Sequence, residues 1–183
     1  MSTSGRRIGG NYAQGFTLLE LLVTLLIMGV VAAWGIPSFQ ALGERNARTG
    51  EANRLQTALG FARQAAINQH QPITLCPTVE RKSKLRCDDN WSQALAVVRG
   101  DQTEDIAPAD VLRTFPATQG VDVRYSRGWR RIRYDALGHS SGYNGRFTLC
   151  PQRNKRPAEG NTLVLSQLGR WRMAQAPTNC QQP

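Results

Sequence analysis

The sequence predicts an α+β protein: a long N-terminal helix packed against an antiparallel β-sheet head. Three observations predict it. An apolar run from Phe16 to Ile36 holds a single charge, Glu20. Apolar residues then recur at helical spacing as far as Ala66. Beyond Pro72 the chain breaks into short runs rich in β-branched and aromatic residues, punctuated by glycine.

The polar leader, residues 1–15, ends in Gly15. As a helix, Phe16–Ile36 would span about 32 Å at ~1.5 Å per residue, enough to cross a bilayer core. A cleavable secretory signal would have a shorter apolar core and a small-x-small site after it, and neither is seen. Arg6 and Arg7 put the leader on the cytoplasmic side, so everything past Pro37 is expected outside the cytoplasm. A carboxylate at membrane depth costs about 3 kcal/mol and calls for a partner. Cleavage between Gly15 and Phe16 would supply one. The new α-amino group would lie one helical turn from Glu20, and pairing within the chain or with a neighbour would neutralise the charge and fix helix register.

Pro37 is expected to kink the helix without ending it. Beyond it, Ala52, Leu55, Leu59, Ala62 and Ala66 form one stripe, and Arg45, Arg48, Glu51, Arg54 and Arg63 occupy other faces. The helix should stop near Asn68–Gln71, before Pro72. The expected strands are "ITLC", "ALAVV", "VLRTF", "VDVRY", "RIRYD", "RFTLC" and "TLVLS". Gly100, Gly120, Gly128, Gly138, "SGYNG" and "EGN" read as the turns between them.

Four cysteines, Cys76, Cys87, Cys150 and Cys180, fall on the non-cytoplasmic side. They offer no C-x-x-C, and His70 and His139 are the only histidines, so a metal site is poorly supported and disulfides are favoured. Three connectivities are possible. The pairing chosen is Cys76–Cys87, closing a basic loop, with Cys150–Cys180, pinning the tail to a strand.

The formal net charge is +10, and it is unevenly placed. Residues 1–112 hold 11 basic and 10 acidic side chains, whereas residues 113–183 hold 12 and 3. Arginine outnumbers lysine 20 to 3. This bias points to an anionic partner. In "LSQLGRWRMAQ", a strand continuing past Gly169 would put Arg170 and Arg172 on one face, with Trp171 and Met173 on the other. The two guanidiniums would stand about 7 Å apart along the strand, ready for bidentate pairing with phosphates. Gly169 would allow a close backbone approach or a bulge. Arg131 and Arg133 alternate with Ile132 and Tyr134, and Arg153, Lys155 and Arg156 lie in a Pro-bounded loop. These are further candidate cations.

The stretch "GFTLLE", the apolar run and Pro37 closely resemble the N-terminus of type IV pilins and pseudopilins. That resemblance implies cleavage after Gly15 by the prepilin peptidase, N-methylation of Phe16, and polymerisation with other pilin subunits, with Glu20 as the assembly carboxylate. It also implies residence in the inner membrane before assembly into a cell-surface filament. The domains are then a leader (1–15), a transmembrane or filament-core helix (16–39) and a soluble head (40–183) of pilin fold. The head resembles the FimT/GspH group of minor pilins and pseudopilins, on Cys76 and Cys87 after the helix, "DDNWSQALAVV", "RFTLC" and "LVLSQLGRWRM". Ala94 departs from the glycine that members often carry there. FimT-type members involved in natural transformation bind DNA through a C-terminal G-R-x-R motif, which Gly169, Arg170, Trp171 and Arg172 match residue for residue.

The reading is therefore a minor type IV pilin that binds double-stranded DNA through phosphate contacts, without sequence preference. It uses no cofactor and is not an enzyme. Asp135, His139 and Ser140 lie close in sequence, but a triad is defined by spatial geometry, and the stretch reads better as a polar turn. The alternatives are a structural pseudopilin of type II secretion and a pilus-tip initiator or adhesion subunit.

Overall fold

The computed structural model describes residues 17–81, 84–152 and 159–180, with the side chains of residues 35–38, 40 and 41 left out. Helix α1 runs from Leu18 to Gln69 and continues through Pro37. Its start has a local cause. Thr17 stands at the N-cap, where its hydroxyl accepts a hydrogen bond from the Glu20 backbone N–H at 3.2 Å. Thr17-Leu-Leu-Glu20 is thus a capping-box sequence, with the acid in the favourable first turn. At the other end His70 takes a left-handed conformation (φ 49°) just before Pro72, where the stop is expected.

The chain divides into two units, Met1–Ala41 and Leu42–Pro183. In the first, Leu18, Leu22, Leu26, Met28, Val31, Trp34 and Phe39 each expose more than half their surface. Among the described residues no helix is long and apolar enough to cross a membrane; the run expected to span one begins at Phe16, outside them.

The second unit carries the core. The predicted stripe Ala52, Leu55, Leu59, Ala62 and Ala66 is buried, joined by Ala58 and Ala65. Two antiparallel sheets complete the unit. In the first, β1 (Ile73–Arg81) is flanked by β3 (Leu95–Arg99), which pairs on its far side with β4 (Val111–Phe115). The other edge of β1 is shared by β2 (Lys84–Cys87) and β6 (Ile132–Tyr134). In the second sheet β5 (Val121–Tyr125) pairs with β7 (Gly145–Pro151), and β7 with β8 (Glu159–Leu165). The far edge of β8 is shared by β9 (Trp171–Met173) and β10 (Thr178–Asn179). Core rings close over the helix stripe: Trp91 packs edge-on against Phe147 (4.9 Å) and Tyr125 (5.4 Å).

Both expected disulfides form. Cys76–Cys87 joins β1 to β2, and Cys150–Cys180 ties the tail to β7. Glu51 and Arg54 lie off the apolar stripe but are enclosed all the same. The Glu51 side chain is 1 % exposed and that of Arg54 7 %, and they pair at 2.6 Å. Arg54 also donates to the carbonyls of Trp91, Gln93 and Pro116, so the pair fastens two loops to the helix. "EGN" lies inside β8 rather than in a turn. The strand does not continue past Gly169, because the chain reverses there and β9 runs back along β8.

Candidate functional site

The reversal between β8 and β9 sets the geometry of the arginine motif. Ser166 N–H donates to the Arg170 carbonyl (2.8 Å), Gly169 N–H to the Ser166 carbonyl (3.0 Å), and Arg170 N–H to Ser166 Oγ (3.2 Å). Gly169 has φ +72°, and a Cβ there would run into the carbonyl oxygen of Gly138. Only glycine meets both demands without strain. The approach is held from below. Arg63 Nε donates to that same Gly138 carbonyl (3.1 Å), while Ser140 donates through its N–H and Oγ to the Gln167 and Ser166 carbonyls, each at 2.9 Å.

Within β9 the expected alternation holds. Trp171 lies opposite Leu165 and Met173 opposite Leu163, both core residues, and Trp171 and Met173 pack against that core. The indole reaches the helix: a Cβ on Gly60 would lie 3.0 Å from Trp171 Cη2, so glycine makes room for the ring. Arg170 and Arg172 are exposed. Among the described residues neither guanidinium has a hydrogen bond or ion pair. Two charged groups are thus held on a strand whose other face is anchored in the core.

The other candidates differ. Arg131 and Arg133 are brought together, but on Asp101: Arg131 Nη1 lies 2.9 Å and Arg133 Nε 3.5 Å from its carboxylate oxygens. Arg131 Nε also donates to the Tyr143 hydroxyl (3.2 Å). Arg133 sits on β6, in the first sheet, whereas Arg172 sits in the second. In the basic β1–β2 hairpin, Lys84 pairs with Asp105 (3.2 Å) and Arg86 with Glu104 (3.0 Å), both acids lying on the segment after β3. Arg153, Lys155 and Arg156 lie outside the described residues, as do Gly15 and Phe16.

The Asp135–Ser140 stretch is a turn. Asp135 Oδ1 accepts the backbone N–H of Leu137 and of His139, each at 2.9 Å, and the buried Ser140 hydroxyl donates to a carbonyl. That use of Asp135 is an Asx-type turn, in which the side chain substitutes for a backbone acceptor. His139 Nδ1 stands 3.7 Å from Asp135 Oδ2, at the surface.

Reading one strand at a time missed Arg146, on β7. It lies opposite Val164, which lies opposite Arg172, so these three residues form one row across three strands. Arg146 is exposed. The signal was present as the outward position of "RFTLC", but its neighbours depend on register.

Comparison with known proteins locates the chain. A family model described as "Type II transport protein GspH" matches residues 51–169. One described as "Prokaryotic N-terminal methylation motif" matches residues 10–36. Two crystal structures of the Pseudomonas aeruginosa (strain PAO1) type IV minor pilin FimU are similar in fold. In space group P21 the identity is 23%, covering 76% of this chain and 99% of that one, at a TM-score of 0.59. In P65 the identity is 22%, covering 73% and 99%, at 0.56. The first family match stops at Gly169, immediately before Arg170 and Arg172.

Proposed function

The chain belongs to the GspH family, and from that premise we propose that it is a minor type IV pilin binding extracellular double-stranded DNA through Arg170 and Arg172, in support of DNA uptake. The observation that carries the reading is the pair of exposed guanidiniums, without a partner among the described residues, beside the strand anchored by Trp171. A subunit needing β9 only for packing would keep Trp171 and Met173 and have no use for two free cations between and beside them. Unlike the cations on Asp101, or Lys84 and Arg86 of the β1–β2 hairpin, these two have no counter-charge among the described residues to displace. Phosphate contacts would release counterions and carry no base information.

The N-terminal methylation motif and the exposed apolar side chains of the first unit support the rest of the reading. The precursor is held in the inner membrane by the helix from Phe16, cut after Gly15 by the prepilin peptidase and methylated at Phe16. It then joins other pilin subunits through that helix, with Glu20 pairing at the new N-terminus.

The test is a titration of the full chain in detergent with random-sequence duplex, beside the Arg170→Gln/Arg172→Gln variant. The variant is expected to stay folded, since exposed substitutions of this kind shift stability by about 0.5 kcal/mol or less. Its salt dependence should be shallower by about two contacts at ~0.9 each. A second reading, a structural pseudopilin of type II secretion, is favoured by the description of the family that matches. A wild-type chain that fails to bind duplex at low salt would decide for it.

A further inference from the structure

We propose that Arg146 is a third phosphate contact, so that a nucleic-acid backbone crosses β7, β8 and β9 along the row Arg146–Val164–Arg172 instead of resting on β9 alone. The inference rests on the DNA-binding reading above and extends its site.

Register carries it. Residues directly opposite each other in an antiparallel pair point to the same face. Arg146 faces Val164 and Val164 faces Arg172, while the flanking pairs Phe147–Leu163 and Leu165–Trp171 point into the core. The row is therefore on the outer face of the second sheet. One rung nearer the turn, Arg170 closes against Ser166. Strands lie about 4.8 Å apart, so Arg146 and Arg172 are separated by about 10 Å across the sheet, and Arg170 and Arg172 by about 7 Å along it. Three arginines then bound one patch, with half-buried Val164 at its centre.

Electrostatics favours the same patch. Among the described residues the Arg146 guanidinium, like those of Arg170 and Arg172, has no hydrogen bond or ion pair. Asp122, the acid on β5, pairs with Arg124 at 2.9 Å and lies four residues along the chain from Ser126, which is bonded through its backbone and hydroxyl to Arg146. Glu159 is at the opposite end of β8. Neither the Arg146–Val164–Arg172 row nor the Ser166–Arg170 rung contains a carboxylate. Low-lying apolar surface between free cations also suits a polyanion, because the charges are not solvated by neighbouring protein groups and the arginine stems can lie along Val164.

The experiment measures anisotropy of labelled random duplex with the full chain in detergent, between about 50 and 200 mM salt. Arg146→Gln is expected to lower affinity about eight-fold near 0.1 M salt and to flatten the log–log slope by about 0.9, the weight of one phosphate. Val164→Glu, which sets a carboxylate between the two cations, should weaken binding further. Arg99→Gln, an equal loss of charge on β3 of the first sheet, should leave both quantities unchanged. Wild-type affinity for Arg146→Gln, with binding lost in Arg170→Gln/Arg172→Gln, would overturn the row and leave the C-terminal motif standing. Equal losses for Arg146→Gln and Arg99→Gln would reduce the effect to net charge and also overturn it. Absence of duplex binding by the wild-type chain would remove the reading beneath both.

Discussion

Enlarging Gly60 should weaken DNA binding, although Gly60 lies on the helix and carries no charge. Its role is to admit Trp171, whose Cη2 would sit 3.0 Å from any Cβ placed there. Gly60→Leu must push the indole outward, and with it the strand that holds Arg170 and Arg172. Overpacking costs about 1–3 kcal/mol. Replacing a mid-helix glycine returns about 1 kcal/mol. The net loss is then about 1 kcal/mol. Trp171→Ala removes a half-buried ring, so roughly half of the 3–5 kcal/mol for a buried aromatic is expected, about 2 kcal/mol. The double variant is the informative one. With the indole gone, the leucine fills the space it left, and the two losses should fall short of additive by about 1 kcal/mol. Urea unfolding followed by tryptophan fluorescence gives the stabilities of the wild type and the three variants, and duplex titration gives the affinities. Losses that add within about 0.5 kcal/mol would show that the two residues are uncoupled. Unchanged DNA affinity in a stably folded Gly60→Leu chain would show that the seat of Trp171 does not set the arginines.

Three further outcomes are expected. Intact-mass measurement of the membrane-purified chain should show residues 1–15 removed and one methyl group added; a functional protein that keeps Met1 would refute processing at Gly15–Phe16. Glu20→Gln keeps a capping-box residue at the third helical position and removes the charge, so it should preserve membrane retention yet abolish incorporation into filaments; normal incorporation would assign Glu20 to capping rather than pairing. Arg54→Ala leaves the Glu51 carboxylate buried without its cation and three carbonyls without a donor, and should cost about 3–5 kcal/mol by urea unfolding, with a change below 1 kcal/mol counting against it.

Much of the fold was legible because local signals and tertiary structure agree. The helix stripe is buried as its spacing implies, and the helix ends where Pro72 forces it to. All seven expected strands form, since each alternates apolar with polar residues or runs apolar through the core. The short strand β2 was not legible. "KLRC" has little β-propensity, and it is held by pairing with β1 and by Cys76–Cys87, which are contacts between segments. The burial of Glu51 and Arg54 was not legible for a related reason. Helical periodicity assigns charges to water, but a bidentate pair that also satisfies three loop carbonyls can be enclosed without leaving a buried charge unmatched.

The arginine site divides along the same line. Arg170, Trp171 and Arg172 are neighbours in sequence, so their alternation and the apolar anchor between them can be read from three letters. The turn that reverses β9 cannot: Gly169 shows only that something special occurs, and the demand for it comes from Gly138 on a different loop. That reversal has a consequence for binding. A strand continuing outward would have presented its arginines at the end of the head, as a pair in line. Folded back on β8, Arg172 falls in one row with Arg146, because Val164 of β8 lies opposite each of them, and Arg170 closes the next rung against Ser166. A linear motif becomes the edge of a surface, and under the proposed DNA binding the number of phosphates neutralised would be set by register as well as by composition. The salt slope counts those phosphates directly, and for that reason it, more than affinity alone, separates a two-arginine motif from a three-strand row.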